Sequence, residues 1–192
     1  MRTTMSRFVC LVLFSLLPGF AAAEPVVLTA ADNVKVYGEV WRAAGPKAPV
    51  ILAFHQAESN HAEYSTIAPR LAAAGFTVLA IDPRSGGDYF GGSNKTVAAL
   101  GRSTRYEGGL PDMAAALQWG KAEAQGAPLL LWGSSYSAAL VFLIAARNQG
   151  WAAGILAFSP GEYLERRRDV RSAAEKVTVP VFVSCVAVSF AT

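Results

Sequence analysis

Leu129-Leu130-Leu131-Trp132-Gly133-Ser134-Ser135-Tyr136-Ser137-Ala138-Ala139 is the stretch on which the reading of this chain turns. An apolar run ends at a glycine, a serine stands two residues later, and small residues follow where a helical pattern begins. That spacing belongs to a nucleophile elbow, a strand-to-helix turn so sharp that the central serine is pushed out above the sheet edge. Strand and departing helix nearly touch there, so a side chain at Gly133 or Ser137 is expected to collide. The usual pattern is G-x-S-x-G, and here Ser137 stands in place of the second glycine. A Gly/Ser-rich β–α turn without chemistry would carry the same letters, so the rest of the chain has to decide.

Outward from this turn, apolar runs alternate with helical patterns. Residues 128–132 are the strand that feeds the turn, and 137–148 are the helix that leaves it. Residues 50–54 and 76–81 are short, continuously apolar runs, as in strands buried on both faces. Residues 34–41 alternate apolar and polar, which predicts a half-buried strand at a sheet edge. Residues 64–74 place Ile67, Leu71 and Ala74 at helical spacing and stop at Gly75. Residues 82–101 form a long loop rich in Gly, Pro and Ser. Residues 110–124 read as a helix with Pro111 in its first turn and Met113, Ala116, Leu117 and Gly120 facing inward. Farther on come a strand at 152–158, a short helix at 171–176 and a last strand at 177–188. This order predicts an α/β fold, a mostly parallel sheet with helices on both faces. Binding is expected at the carboxyl ends of the strands.

The 192 residues suit one domain, and no internal repeat interrupts them. Residues 1–23 have the order of an export signal: Arg2 and Arg7 without an acid, an apolar core at 8–17, the breaker Pro18-Gly19, and Ala21-Ala22-Ala23. A membrane span needs roughly 20 unbroken apolar residues, which Pro18-Gly19 interrupts. The expected mature domain is therefore 24–192, exported to the periplasm or beyond. Loss of Arg2 and Arg7 lowers the formal charge from +3 to +1, which leaves no electrostatic footprint for nucleic acid. Arg166-Arg167-Arg168 and Arg171 lie among Glu162, Glu165 and Asp169 and read as a mixed solvated face. Only Cys185 remains after cleavage, so no internal disulfide can form.

An elbow needs an oxyanion hole, built from the N–H after the nucleophile and one N–H in the loop after an earlier strand. Those positions are Tyr136 and, in Phe54-His55-Gln56-Ala57-Glu58-Ser59-Asn60, Gln56. His55 reads as structural, its ring bonding the loop backbone. Five segments then fall in a telling order: Phe54-His55-Gln56-Ala57, Ala68-Pro69-Arg70-Leu71-Ala72, Ile81-Asp82-Pro83-Arg84-Ser85-Gly86-Gly87, Gly133-Ser134-Ser135-Tyr136-Ser137-Ala138 and Phe158-Ser159-Pro160-Gly161-Glu162-Tyr163. Together they resemble the α/β-hydrolase superfamily and, within it, dienelactone-hydrolase-like proteins, over residues 49–183. The resemblance implies Ser135 as nucleophile, Gln56 and Tyr136 as oxyanion donors, and a small-molecule carboxylic ester or lactone as substrate. Dienelactone hydrolases use a cysteine, so the serine points to esterase-like relatives.

A serine hydroxyl is a poor nucleophile until a base takes its proton, and the superfamily orders its triad Ser, acid, His. Here the two histidines, His55 and His61, both precede Ser135. His61, in Asn60-His61-Ala62-Glu63, suits the capped start of a helix. Glu162 is a possible acid. After Val183 the resemblance stops, and residues 184–192 carry no charge. The expectation is a domain truncated at its C-terminus, lacking the last strand, helix and histidine loop, and weak or inactive as written. A non-catalytic binding module that keeps the pocket is the alternative. No metal or organic cofactor is implied.

Overall fold

The computed structural model describes residues 22–166 and 169–185. The expected export segment lies almost wholly outside them, as do Arg167, Arg168 and residues 186–192. The strands are β1 (Glu24–Thr29), β2 (Lys35–Trp41), β3 (Val50–Phe54), β4 (Thr77–Ile81), β5 (Leu129–Ser134), β6 (Gly154–Phe158) and β7 (Val181–Ser184). The helices are α1 (Ala68–Ala73), α2 (Lys95–Leu100), α3 (Leu110–Ala124), α4 (Tyr136–Arg147) and α5 (Asp169–Ala174). All seven strands join one sheet in the order β1-β2-β4-β3-β5-β6-β7. β2 runs antiparallel to β1 and β4, and every other pair is parallel.

The two continuously apolar runs became the strands β3 and β4, buried at every position. Their residues divide between two cores because successive side chains point to opposite faces. Leu52, Phe54, Leu79 and Ile81 pack with Met113, Ala116 and Leu117 of α3 and with α4. Ile51, Ala53, Val78 and Ala80 pack with Ala68 and Ala72 of α1 and with Tyr64. Each large side chain so buried stabilises the fold by about 1.5–3 kcal/mol relative to exposure. The first ten residues of α4 are all buried, as befits a helix apolar all round. That pins its N-terminus, and with it the turn above β5.

Four expectations need correction. The strand at 34–41 is not an edge strand, because β1 pairs outside it through the register Glu24↔Val40 to Thr29↔Lys35. The short run Val26-Val27-Leu28 behind Pro25 carries too little alternation to announce itself. The inward face of α1 is Ala68 and Ala72, while Ile67 and Ala74 are exposed. A 3-10 turn at His61–Tyr64 precedes the helix, so one helical period cannot run through 64–74. The loop 82–101 contains α2, whose start is capped by Asn94 Oδ1 accepting from Val97 N–H at 2.8 Å. Finally, the strand expected from residue 177 begins at Val181, and the four residues of β7 are all exposed, while residues 186–188 of that expectation lie outside the described residues. Among the described residues no helix is long and apolar enough to cross a membrane.

Candidate active site

The turn between β5 and α4 has the geometry of an elbow. Ser135 takes φ 56 and ψ −120 at the boundary of α4, a region that costs a non-glycine residue on the order of 1–3 kcal/mol. Three contacts hold it there. Ser135 N–H donates to Phe158 O at 2.8 Å, tying it to the end of β6. A Cβ at Gly133 would stand 2.5 Å from Ala138 Cα, so only glycine lets α4 leave so close to the strand. The third contact is Ser137, whose side chain was expected to collide and instead fits, fully buried. Its Oγ accepts from Ser134 N–H at 2.9 Å and can donate to Phe54 O at 2.6 Å or Ser134 O at 2.9 Å. The hydroxyl thus bridges β3 and β5 where a second glycine would leave nothing.

Tyr136 follows as the first residue of α4, where backbone N–H groups have no partner inside the helix and favour negative charge. Its ring is buried, its OH lies 3.0 Å from Ser85 Oγ, and it stacks on Tyr106 at 4.4 Å. Burial pushes the phenol well above its ordinary pKa, so it stays neutral.

The loop after β3 is held from both sides. Tyr64 OH donates to Phe54 O at 2.7 Å. His55 Nδ1 lies 2.7 Å from Gln56 O. A carbonyl only accepts, so the proton sits on Nδ1 and the buried Nε2 is left without a partner among the described residues. Burial lowers the His55 pKa to about 4, which agrees with a neutral structural ring. Gln56 N–H donates to Glu63 Oε2 at 2.9 Å. Asn60 Nδ2 donates to Gly87 O and Tyr89 O at 3.1 and 2.7 Å, lacing this loop to the one after β4.

Neither histidine serves Ser135. His61 Nδ1 lies 2.8 Å from Asp82 Oδ1, and its Nε2 lies 3.4 Å from Glu39 Oε1. Burial works against the charged ring, but the hydrogen bond and charge of Asp82, aided by Glu39, outweigh it and raise the pKa. Its backbone N–H also donates to Asp82 Oδ1 at 2.7 Å, and Asn60 Oδ1 caps the 3-10 turn through Ala62 N–H at 3.0 Å. Glu162 accepts from Val170 N–H at 3.2 Å and Arg171 N–H at 2.9 Å. In this position it caps the first turn of α5 and orients no histidine. Among the described residues no three His, Cys, Asp or Glu side chains converge on a metal site.

A family model for serine aminopeptidases, S33, matches residues 45–185. The chain belongs to this family of α/β-hydrolases. Among solved structures, it is similar to a thermostable carboxyl esterase from Bacillus coagulans, with TM-score 0.59 and 16% identity over 70% of this chain and 43% of that one. It is also similar to an esterase from Pyrococcus furiosus, with TM-score 0.61 and 19% identity over 85% of this chain and 70% of that one. An acylaminoacyl peptidase from Pyrococcus horikoshii gives TM-score 0.62 and 14% identity over 87% of this chain and 32% of that one. At such identities the likeness establishes the shared fold. No curated protein matches the sequence. The chain spans less than half of the Bacillus esterase and about a third of the peptidase.

Beside the elbow of this S33-family chain lies a cleft of about 300 Å³, lined by Arg105, Tyr106, Glu107, Tyr163, Leu164 and Glu165. One wall, Tyr106, stacks on Tyr136. Tyr163 OH, on the other wall, donates to Ser159 O at 3.2 Å, one residue beyond the carbonyl that accepts Ser135 N–H. Arg105 pairs with Glu165, and Glu107 Oε1 accepts Glu165 N–H at 2.6 Å. Sequence reasoning missed this cleft and missed Glu63. Asn60-x-x-Glu63 has the letters of a capping box, but the carboxylate turns to Gln56 instead of the cap, which no local pattern reveals.

Proposed function

We propose that this S33-family chain is a carboxylic-ester hydrolase of the dienelactone-hydrolase-like kind, with Ser135 as nucleophile. The observation that carries the reading is the strained backbone of Ser135, φ 56 and ψ −120, at the N-terminus of α4. Ser135 Oγ attacks the ester carbonyl, and the tetrahedral oxyanion is received by Tyr136 N–H and an N–H of the 55–57 loop. Collapse of the tetrahedral adduct breaks the ester C–O bond, the alcohol leaves with a proton taken from solvent in exchange for the one Ser135 gives up, and water then cleaves the acyl–serine ester to the carboxylic acid and the free hydroxyl. Each oxyanion donor of this kind contributes about 2.7–4 kcal/mol in mutational tests. The cleft beside Tyr106, Tyr163 and Leu164 suits an uncharged aromatic or branched acyl group, since its single arginine is already paired. The same proposal has the chain exported, on the strength of the charged, apolar and small-residue order of 1–23.

Both histidines are bound elsewhere, so neither is placed to act as base to Ser135. Turnover by the chain as given is therefore expected to be slow. Serine hydrolases stripped of triad members retain about 10³–10⁴-fold acceleration over water through the oxyanion hole and binding. The same observation favours a second reading, a binding module that keeps the pocket without the chemistry. A fluorophosphonate probe with mass spectrometry, alongside p-nitrophenyl ester hydrolysis, separates the two. The ester-hydrolase reading expects an adduct on Ser135 and slow hydrolysis that disappears in Ser135→Ala. Ester binding without adduct or turnover establishes the binding module instead.

A further inference from the structure

Glu63 is not used in the mechanism above, yet it binds the backbone of the loop that forms one half of the oxyanion hole. Its Oε2 accepts Gln56 N–H at 2.9 Å. Gln56 belongs to the loop that forms one half of the hole. Tyr136, after the nucleophile, forms the other half. We propose that Glu63 is a positioning residue that holds the oxyanion loop in register with the elbow and leaves Ala57 N–H, rather than Gln56 N–H, to receive the oxyanion. This rests on the ester-hydrolase reading of the same site.

Three observations support the assignment. First, a donor already committed to a carboxylate is unavailable to a substrate, and hydrogen bonds to charged acceptors are roughly twice as strong as neutral ones. Ala57 N–H, next in the chain, has no acceptor among the described residues, and Ala57 is half-buried. Second, Glu63 is itself anchored. Its 3-10 turn is capped by Asn60, and the adjacent Tyr64 OH donates to Phe54 O at 2.7 Å. The carboxylate therefore closes a short ring, from the end of β3 through the turn and back to the loop. Third, the elbow side of the ring is equally fixed, because Ser137 Oγ donates to the same Phe54 carbonyl at 2.6 Å. Both halves of the hole are registered on one atom, Phe54 O. Burial raises the Glu63 pKa, against the lowering effect of the Gln56 N–H bond, as expected of a partly desolvated carboxyl held by a backbone donor.

The test uses the full chain with Glu63→Ala and Glu63→Gln. Amide hydrogen exchange at Gln56 is expected to speed up at least tenfold in Glu63→Ala. The rate of fluorophosphonate modification of Ser135 is expected to fall about 10–100-fold, a fraction of the 10²–10³-fold lost when a whole donor is removed, with ester affinity little changed. Glu63→Gln keeps an oxygen for Gln56 N–H and should restore most of both. In the adduct of the wild-type chain, the Ala57 and Tyr136 amide protons should move downfield while that of Gln56 stays. Movement of Gln56 in place of Ala57 overturns the donor assignment. Faster modification in Glu63→Ala overturns the positioning role, because the carboxylate would then be blocking the hole. Absence of any Ser135 adduct in the wild type would sink the ester-hydrolase reading, while exchange at Gln56 still decides whether Glu63 holds the loop.

Discussion

Ser137 separates motif from structure, because the elbow pattern alone suggests that Ser137→Gly should be harmless or beneficial. The side chain is fully buried, and its hydroxyl accepts from Ser134 N–H at 2.9 Å. Removing it strands that N–H, while Phe54 O keeps its second donor, Tyr64 OH, at 2.7 Å. A buried polar group left unpaired costs about 1–3 kcal/mol, and that is the expected loss in Ser137→Ala. Glycine in a helix adds about 1 kcal/mol more relative to alanine, so Ser137→Gly should lose about 2–4 kcal/mol. For a domain of this size each kcal/mol lowers Tm by about 2–4 °C. The alanine variant should therefore melt about 4–8 °C lower at the middle of its range, and the glycine variant lower still. Urea titrations followed by circular dichroism and tryptophan fluorescence give the free energies directly. Trp132, in β5 and stacked on Phe158 at 4.9 Å, reports on the strand that feeds the elbow. A glycine variant as stable as the wild type would refute the argument, since the hydroxyl would then not be what joins β3 to β5.

Two further expectations concern buried charge. Arg84 donates to Asp112 through its backbone N–H at 2.7 Å and its guanidinium at 2.6–3.1 Å, and also pairs with Asp32. Asp112 is fully buried, whereas the Asp32 side chain is 46% exposed, so Asp112→Ala should cost about 3–5 kcal/mol and Asp32→Ala about 1 kcal/mol or less; equal urea midpoints for the two would refute this. The raised pKa of His61 means that the folded chain binds a proton more tightly than the unfolded one. Its contribution is therefore complete below about pH 6.5 and declines as pH rises through the folded value, and urea midpoints between pH 6 and 9 should flatten in His61→Gln; an unchanged slope would refute the pairing with Asp82.

The features legible in the sequence were those that a local pattern determines. Continuous apolar runs announced β3 and β4, because a strand covered on both faces needs no polar side. Met113, Ala116, Leu117 and Gly120 showed their common face, because α3 is long and regular and its period is not interrupted. Gly133 and Ser135 announced the elbow, because a glycine before a strained serine is a short-range steric requirement. Tertiary structure alone decided what depends on distant segments meeting. It inserted β4 between β2 and β3 and added β1 outside β2, since strand order follows from pairing rather than sequence. It made room for Ser137, because the acceptor that justifies a hydroxyl there is Phe54 O, 83 residues away. It also directed Gln56 N–H to Glu63 and His61 to Asp82. A residue type states which hydrogen bonds a side chain can make; only the folded chain brings up the partner, because burial forces each polar group to take the one within reach.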